Sequence, residues 1–233
     1  MPELQDDPSA HALPMTLAGE PVLLLGERAL YWPARARLVI ADLHLGKGHV
    51  FRQAGIAVPR GATQADLDRL TRLVHDTGAQ QLWIVGDVLH GPMSQAEWRD
   101  DWAQWRRAHA ELDVAVLIGN HDRALEGAAL GMRQLGDEQA DGPFLFRHIP
   151  KADPQGRHVI AGHVHPKTRL PGVPRHWPAF WLQTGITVLP AFSDFTGGYT
   201  VTVQAGQAGQ VGQRLAACVD GNVVPIGWPP SGA

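Results

Sequence analysis

Four short blocks of the sequence combine side chains that bind divalent metal ions. Asp42-Leu43-His44 places a carboxylate and an imidazole two residues apart, a spacing at which alternate side chains can share one ion. The other blocks are Gly86-Asp87, Gly119-Asn120-His121-Asp122 and Gly162-His163-Val164-His165. Their glycines allow close backbone approach, and Asp, Asn or His supplies the ligand atom. One block alone is compatible with an ordinary polar turn, but the four together predict a metal site.

Each block follows a short apolar run that is typical of a buried strand. The runs are rich in β-branched residues and span residues 37–41, 82–85, 114–118 and 158–161. In open α/β sheets, functional loops gather at the carboxyl ends of the strands. We therefore expect the four blocks to converge in space.

Helical patterns lie between the first three of these strands. The first runs from Thr63 to Gly78, with its apolar residues on one face. The second starts at a capping box of Ser94 and Glu97 and continues with a stripe of tryptophans at helical spacing: Trp98, Trp102 and Trp105. Such a stripe could stack on nucleobases, but its spacing favours a buried core face. The first half therefore reads β-α-β-α-β, with right-handed crossovers between parallel strands.

After about residue 141 the sequence changes to short alternating segments that predict strands and turns. These are residues 144–149, 179–182, 187–191, 199–203 and 214–219. Nearer the N-terminus, residues 22–25 and 29–32 predict a hairpin that joins the sheet edge. We expect a flexible N-terminus at residues 1–15 and a single α/β domain at residues 16–228.

Composition and charge exclude several classes of protein. The formal net charge is −3, and the Lys and Arg residues are scattered, so the broad basic footprint of a nucleic-acid coat protein is missing. A phosphate-bearing substrate must therefore be attracted locally. No stretch is apolar enough for a membrane helix, and no basic start with an apolar run indicates a signal peptide. The single cysteine, Cys218, fits a reducing compartment, and we expect a cytoplasmic protein without a membrane partner.

The order of the four blocks resembles the signature of the calcineurin-like metallophosphoesterase superfamily, from about Val39 to His165. The resemblance implies a four-layer α/β/β/α sandwich with mixed sheets and two divalent metal ions. One ion would be held by Asp42, His44, Asp87 and His165, and the other by Asp87, Asn120, His148 and His163. Asp87 would then bridge the ions. For the lone histidine between the third and fourth blocks we prefer His148 over His158, because His148 ends an apolar strand.

The chemistry implied by such a site is phosphoester hydrolysis. Two dications carry about four positive charges, whereas the site offers two carboxylates, so a surplus remains that can hold a phosphate and acidify bound water. A hydroxide between the ions would attack phosphorus, and His121 would donate a proton to the leaving group. The mixed nitrogen and oxygen ligands suit manganese best, with iron or zinc as alternatives.

Several residues around the blocks bear on the substrate. His90, three residues after Asp87, stands where phosphoprotein phosphatases carry an aspartate and resembles the recombination-repair nucleases, which favours a phosphodiester. The alternative is that His90 only caps a turn. Arg123 is the best candidate for a phosphate contact, ahead of Lys47 and Arg52, although solvated charge explains these residues equally well.

Further segments narrow the resemblance. Residues 40–47 (IADLHLGK), then Phe51-Arg52, Gly55, Pro59 and Gly61, then residues 189–198 (LPAFSDFTGG), resemble the ligase-associated DNA damage response phosphoesterases called PdeM. This implies a single-strand endonuclease or phosphodiesterase that acts in DNA repair, in functional association with a DNA ligase and a helicase. The sequence departs from that family at Pro178-Ala179-Phe180, where Pro-Cys-Phe is usual.

Two other functions compete with a DNA phosphodiesterase. The same site could serve a hydrolase of small nucleotides or phosphomonoesters, because a site fixes the reaction and not the substrate. A scaffold that has kept the fold and lost catalysis is the third hypothesis. The intact set of polar residues in the four blocks argues against the scaffold.

Overall fold

The computed structural model of the chain describes residues 11–53, 55–57, 61–90, 97–194, 196–202 and 213–228. Three α-helices lie within these ranges: α1 (Lys47–Gln53), α2 (Ala62–Thr77) and α3 (Glu97–Ala108). Ser94, which we predicted to cap the second helical pattern, lies outside the described residues, as does Pro59.

The first sheet contains the parallel strands of the predicted β-α-β-α-β unit. In spatial order its strands are β1 (Ala12–Leu17), β2 (Glu20–Leu25), β3 (Ala29–Trp32), β4 (Arg37–Ile40), β5 (Gln81–Val85), β6 (Asp113–Leu117) and β7 (Arg133–Gln134). Strands β4 to β7 pair in parallel, and β1 to β4 pair antiparallel. The predicted hairpin is confirmed as β2 and β3.

The second sheet is also mixed. Its strands are β8 (Glu138–Asp141), β9 (Phe144–Arg147), β10 (His158–Ala161), β11 (Lys167–Arg169), β12 (His176–Gln183), β13 (Ile186–Val188), β14 (Arg214–Val219) and β15 (Asn222–Ile226). The order across the sheet is β15-β14-β12-β13-β10-β9-β8, and β11 pairs with β12 outside that path. Strand β10 pairs in parallel with both β9 and β13.

One layer of buried apolar residues lies on each face of the first sheet. Alternate residues of β4, such as Val39, face the second sheet, where they join Phe146 and Ile160 in one buried cluster. The intervening residues Leu38 and Ile40 pack with the apolar faces of α2 and α3. The predicted α/β class with two packed mixed sheets is therefore confirmed. The α-helices of the described residues follow β4 and β5, and the buried faces of α2 and α3 cover the first sheet.

The two larger helices follow the predicted pattern with one correction. Helix α2 begins at Ala62, not Thr63, because Gly61 takes the N-cap position with a left-handed backbone; Gly78 ends the helix as expected. The tryptophan stripe of α3 is buried, and the indole of Trp102 donates a hydrogen bond to the Leu130 carbonyl at 2.8 Å. The interpretation of the stripe as core is confirmed.

Other expectations need correction at segment ends. Residues 12–15, which we expected to be flexible, belong to β1, where their backbone pairs with residues 22–25 of β2. Residues 199–202 form no strand; Thr200 makes only an isolated bridge with Lys167, and residue 203 lies outside the described part. Helix α1 and the short strands β7, β8, β11 and β15 were not predicted, because they are too short for a clear period.

The convergence of the four blocks has a different origin from the one we expected. The first three blocks follow β4, β5 and β6, which are neighbours in the first sheet. The fourth follows β10 of the second sheet, and it meets the others because the two sheets pack face to face. In the described part of the chain, no helix has the length and apolar character needed to cross a membrane.

Replacing Trp102 tests the packing of α3. Trp102→Ala removes a fully buried side chain and its hydrogen bond, so we expect the free energy of unfolding to fall by about 3–5 kcal/mol. The exposed Gln104 on the same helix is the control, and Gln104→Ala should change it by less than about 0.5 kcal/mol. Urea unfolding followed by circular dichroism measures both; equal stabilities would contradict the assignment of this face to the core.

Candidate metal centre

Asp42, His44 and His165 form the first group of potential metal ligands. One ligand atom from each residue lies within 4.8 Å of the others. The Nε2 atoms of the two imidazoles are 3.4 Å apart, and the Asp42 Oδ1 atom is 3.3 Å from Nε2 of His165. Asp42 and His44 are buried, while the His165 side chain is 16% exposed. The group therefore opens toward solvent on the side of His165.

Asp87, His148 and His163 form a second group of the same size. The His148 Nε2 atom lies 3.4 Å from Asp87 Oδ2 and 3.1 Å from His163 Nδ1. The Asn120 Oδ1 atom is 3.0 Å from the same Nε2. Three blocks and the end of β9 thus contribute to this group.

The two groups are directly connected. The backbone N–H of His163 donates to both carboxylate oxygens of Asp42, at 3.2 and 3.0 Å, and the His148 Nδ1 atom is 3.8 Å from Asp42 Oδ1. All seven residues predicted as metal ligands are therefore brought together. Asp87 lies with the second group, and its role as a bridge between two ions stays a prediction.

The orientation of His148 distinguishes it from its competitor His158. Its Nδ1 atom lies 3.1 Å from the Val85 carbonyl, which can only accept, so Nδ1 carries the proton and Nε2 presents a lone pair to the site. His158 begins β10, whereas the fourth block follows the end of that strand. Its Nε2 atom is 2.9 Å from the Thr187 hydroxyl. The structure places His148, and not His158, among the candidate ligands.

Left-handed backbone conformations are concentrated at the candidate ligands. Asp42, His44, Asp87, His163 and His165 have φ angles of 56°, 48°, 49°, 71° and 50°. This region is costly for residues with a Cβ atom and persists where surrounding contacts enforce it. Asp42 and His44 thus do not present alternate side chains of an extended strand, as the spacing suggested. Two successive turns of the backbone aim them instead.

Glycines in the blocks leave room for the ligands of neighbouring loops. A Cβ atom on Gly119 would lie 2.2 Å from both the backbone nitrogen and Oδ1 of Asp87. On Gly162 it would lie 2.7 Å from Asp42 Oδ2, and on Gly86 it would lie 2.3 Å from the His148 Nδ1 atom. These close approaches explain why the second, third and fourth blocks each begin with a glycine.

Asp122 is a positioning residue that the sequence pattern alone did not distinguish from its neighbours in the third block. Its buried carboxylate accepts hydrogen bonds from the backbone N–H groups of Gly119 at 2.9 Å, Leu89 at 3.0 Å and Val88 at 3.3 Å. It therefore ties the third block to the loop that follows β5. The sequence could have indicated this role, because an aspartate near the start of a loop commonly accepts hydrogen bonds from backbone N–H groups.

A second support comes from the segment after β13. The Phe192 and Ser193 N–H groups donate to the carbonyls of Ala41 and Asp42, at 2.8 and 3.4 Å. The Phe192 carbonyl in turn accepts from the guanidinium groups of Arg28 and Arg69. The backbone on either side of the Asp42 turn is thereby fixed from a part of the chain about 150 residues away. Local sequence patterns carry no signal for such a contact.

His121, His90 and Arg123 border the ligand groups. The His121 side chain is 46% exposed, and its Nε2 atom is 4.0 Å from Asp87 Oδ2. Its ring stacks on that of His90, with centroids 5.5 Å apart, and the His90 Nδ1 atom is 3.4 Å from His44 Nδ1. Arg123 is exposed on the turn that follows. His121 and His90 thus lie at the mouth of the site.

Three histidines of the site favour the neutral form. Burial, with a contribution from the Lys47 ammonium, lowers the pKa of His44 to about 2 and that of His90 to about 4. Burial and the neighbouring His148 also lower the pKa of His163. Neutral imidazole is the form that binds a metal ion.

Charges beside the ligands are held in a low-dielectric environment. Burial opposes ionisation of Asp87, but hydrogen bonds with His148 and the His121 backbone outweigh it and lower the pKa of Asp87 to about 2. For His148, burial is outweighed by the hydrogen bond with Asp87 and the charge of Asp42, which raise the pKa. Burial lowers the pKa of Lys47 to about 8, although Asp42 opposes the shift. The carboxylate is therefore ionised at neutral pH, as a ligand must be.

This donor set fits divalent metal ions. Each group combines one carboxylate with two imidazoles, and in each group two ring nitrogens face one another at 3.4 Å or less. Neutral rings repel in that arrangement unless a proton or a cation lies between them. Carboxylate and imidazole donors together suit manganese, iron or zinc.

The chain shows clear similarity to known phosphoesterases. Residues 37–141 match the family model of the calcineurin-like phosphoesterases. The crystal structure of the Pseudomonas putida nuclease MPE is 34% identical in sequence, with a TM-score of 0.79, and the match covers 92% of this chain and 100% of that chain. The chain belongs to the calcineurin-like phosphoesterase family. It is accordingly a metal-dependent phosphoesterase, and the family resemblance predicted from the four blocks is confirmed.

More distant matches to this calcineurin-like phosphoesterase were also found. The Aquifex aeolicus protein of unknown function AQ665 is 18% identical with a TM-score of 0.41, covering 55% of this chain and 78% of that chain. The Escherichia coli phosphoesterase YfcE is 16% identical with a TM-score of 0.45, covering 82% and 98%. No curated protein sequence matches the chain.

Gly119→Ala tests whether the third block must approach Asp87 closely. The added methyl group overlaps the Asp87 backbone and carboxylate, so we expect fewer manganese ions per chain and a lower melting temperature. Gly197→Ala is the matched control, because its Cβ atom meets nothing within 4 Å. Elemental analysis after gel filtration measures the metal content; equal content in the two variants would show that the close approach is dispensable.

Proposed function

We propose that the chain is a dinuclear metal phosphodiesterase that cleaves nucleic acid, with single-stranded DNA as the substrate. The observation that carries the proposal is the pair of adjoining ligand groups, one around Asp42 and one around Asp87, with His121 and His90 at their mouth. Two neighbouring ligand groups suit a reaction in which both the attacking and the leaving oxygen of a phosphoester need stabilisation.

Two ions fit the site as follows. Asp42, His44 and His165 would hold one ion, and Asp87, Asn120, His148 and His163 the other, and in this proposal Asp87 would bridge the two ions. When bound, the ions would supply positive charge for the phosphate and lower the pKa of water. The protein contributes the orientation of its ligands: the Val85 carbonyl fixes the His148 ring, and the His163 N–H fixes the Asp42 carboxylate.

His121 would act as the general acid. Hydrolysis forms a bond from a water oxygen to phosphorus and breaks the bond to the leaving oxygen, which then needs a proton. The half-exposed His121 ring borders both Asp87 and solvent, so its Nε2 atom can present a proton to the leaving oxygen and regain one from water. Stacking against His90 and the edge contact with His44 keep the ring in place.

His90 favours a diester over a monoester. Burial and the Lys47 ammonium keep His90 neutral at neutral pH. An aspartate at this position would repel an anionic phosphate and would form an ion pair with His121, whereas the neutral ring does neither. A neutral ring at this position leaves His121 free to serve the leaving group.

The similarity to the Pseudomonas putida nuclease supports a nucleic acid substrate, because it extends over 100% of that chain. The PdeM-like segments of the sequence further support a place in DNA repair, in association with a ligase and a helicase. The segment of residues 189–198 (LPAFSDFTGG) stabilises the site, because its Phe192 and Ser193 N–H groups donate to the carbonyls of Ala41 and Asp42. The proposal also assigns a contact with a substrate phosphate to Arg123, which is exposed just after the third block.

A substrate panel tests the proposal. The purified protein with manganese should hydrolyse a bis-aryl phosphate and labelled single-stranded DNA, and it should turn over an aryl monophosphate far more slowly. Activity should disappear on chelation and return with manganese, because the ligand groups bind no substrate phosphate by themselves. Cleavage of the monoester alone would exclude a nuclease, and metal binding without hydrolysis of any substrate would indicate a scaffold.

Replacing His121 tests the proposed acid. His121→Ala should keep its manganese but lose about 10²- to 10⁴-fold in kcat on the bis-aryl phosphate, the usual contribution of a general acid. His75→Ala is the control, because His75 is 78% exposed in the last turn of α2. Elemental analysis and steady-state kinetics are measured on both; undiminished turnover in His121→Ala would remove this residue from the mechanism.

A further inference from the structure

The chain segregates its charge around the metal centre. From residue 154 to residue 193 the sequence contains no Asp or Glu, although the whole chain has a net charge of −3. The same stretch carries Arg157, Lys167, Arg169 and Arg175. It also includes the fourth metal-binding block. The stretch around that block is therefore basic in sequence, although Arg157 is ion-paired with Asp153 at 2.6 Å.

The basic side chains continue directly from the candidate ligand His165. Strand β11 begins two residues after His165 and ends at Arg169. Four residues at the spacing of a strand correspond to roughly 13 Å between His165 and Arg169. Arg175 precedes β12, which pairs with β11. Both arginines are exposed; Arg169 hydrogen-bonds His176 at 2.9 Å, and Arg175 stacks over Trp177 at 4.0 Å.

An exposed aromatic ring lies beside the fourth metal-binding block. Tyr199 is 60% exposed, and its backbone is fixed beside the fourth block by bonds to Val164 at 3.3 Å and from Lys167 at 2.8 Å. Its ring stacks on Trp181, with centroids 6.4 Å apart and planes at 27°. One face of the tyrosine is thus occupied by Trp181, and the ring is held as a platform.

We propose that the basic aromatic surface formed by Tyr199, Arg169 and Arg175 binds the single-stranded nucleic acid that flanks the scissile phosphate. This rests on the proposed function for the reaction at the metal centre. An unpaired base stacks on Tyr199, and the phosphates beyond it contact the arginines. Single strands fit because a paired base keeps its faces within the duplex stack. The absence of carboxylates along the stretch provides the charge complementarity that a polyanion requires.

Two variants separate stacking from phosphate contacts in this surface. Binding of labelled oligothymidylate to the manganese-loaded protein is measured by fluorescence anisotropy, extrapolated to zero time, over a range of salt concentrations. Tyr199→Ala should weaken binding about 5- to 150-fold without changing the salt dependence, whereas Tyr199→Phe should restore the affinity. Arg169→Ala with Arg175→Ala should reduce the slope of log K against log salt by about 1.4, because each phosphate contact of a single strand contributes about 0.7.

Arg107→Ala is the matched control. Arg107 is exposed at the end of α3 that leads into β6, so it lies at the edge of the first sheet opposite the metal site. Its loss should change neither the affinity for the oligonucleotide nor the salt dependence of binding. Thermal melts of all variants check the fold. Affinity and slope equal to wild type in the Tyr199 and Arg variants would overturn the proposal, as would equal binding of duplex DNA or of an acidic peptide. Wild-type protein that binds the strand but hydrolyses no diester would instead refute the proposed function alone.

Discussion

The structure depends on holding metal-binding side chains on strained backbone. Left-handed conformations of residues other than glycine cost on the order of 1–3 kcal/mol each, and five of them occur at the candidate ligands. The loops stabilise one another: the His44 N–H donates to the Asp87 carbonyl at 2.9 Å, and the His121 N–H donates to the Asp87 carboxylate at 3.0 Å. The His163 N–H likewise bonds Asp42. No loop takes its conformation alone, so the ligand groups form together.

That mutual dependence requires a rigid support, which the packed sheets provide. The first three ligand loops follow adjacent parallel strands, and the apolar layer between the sheets fixes the fourth loop against them. The close approach of Gly119 and Gly162 to the neighbouring ligands leaves no space for adjustment. Arg69 adds a buried ionic contact from α2, where it binds Asp66 at 2.7 Å and the Phe192 carbonyl. The site is thus held in place by the packing of the elements around it.

The sequence predicted the structure best where a strand pattern is directly followed by residue types that bind metal ions. Each polar block directly follows a β-branched run, so both the strands and the residues of the site were predictable, and His148 was selected because it ends such a run. The supports of the site were not predictable. Asp122, Arg69 and Ser193 act on backbone groups, and in two of these cases the partners are more than 100 residues away. The positive φ angles of Asp42 and His44 were also missed, because a D-x-H spacing fits an extended strand equally well.

The distribution of charge resolves the apparent conflict between an acidic protein and an anionic substrate. Net charge governs interactions at long range, which salt screens beyond about 10 Å, whereas a bound strand is affected by the residues along its path. Here the carboxylates of the site are buried and engaged with histidines, and the β11 and β12 flank carries arginines without acidic neighbours in sequence. A short basic path next to a metal centre attracts phosphate locally, and the remaining acidic surface disfavours nonspecific coating of nucleic acid. The charge pattern therefore suits the proposed short single-stranded substrate better than broad binding of DNA.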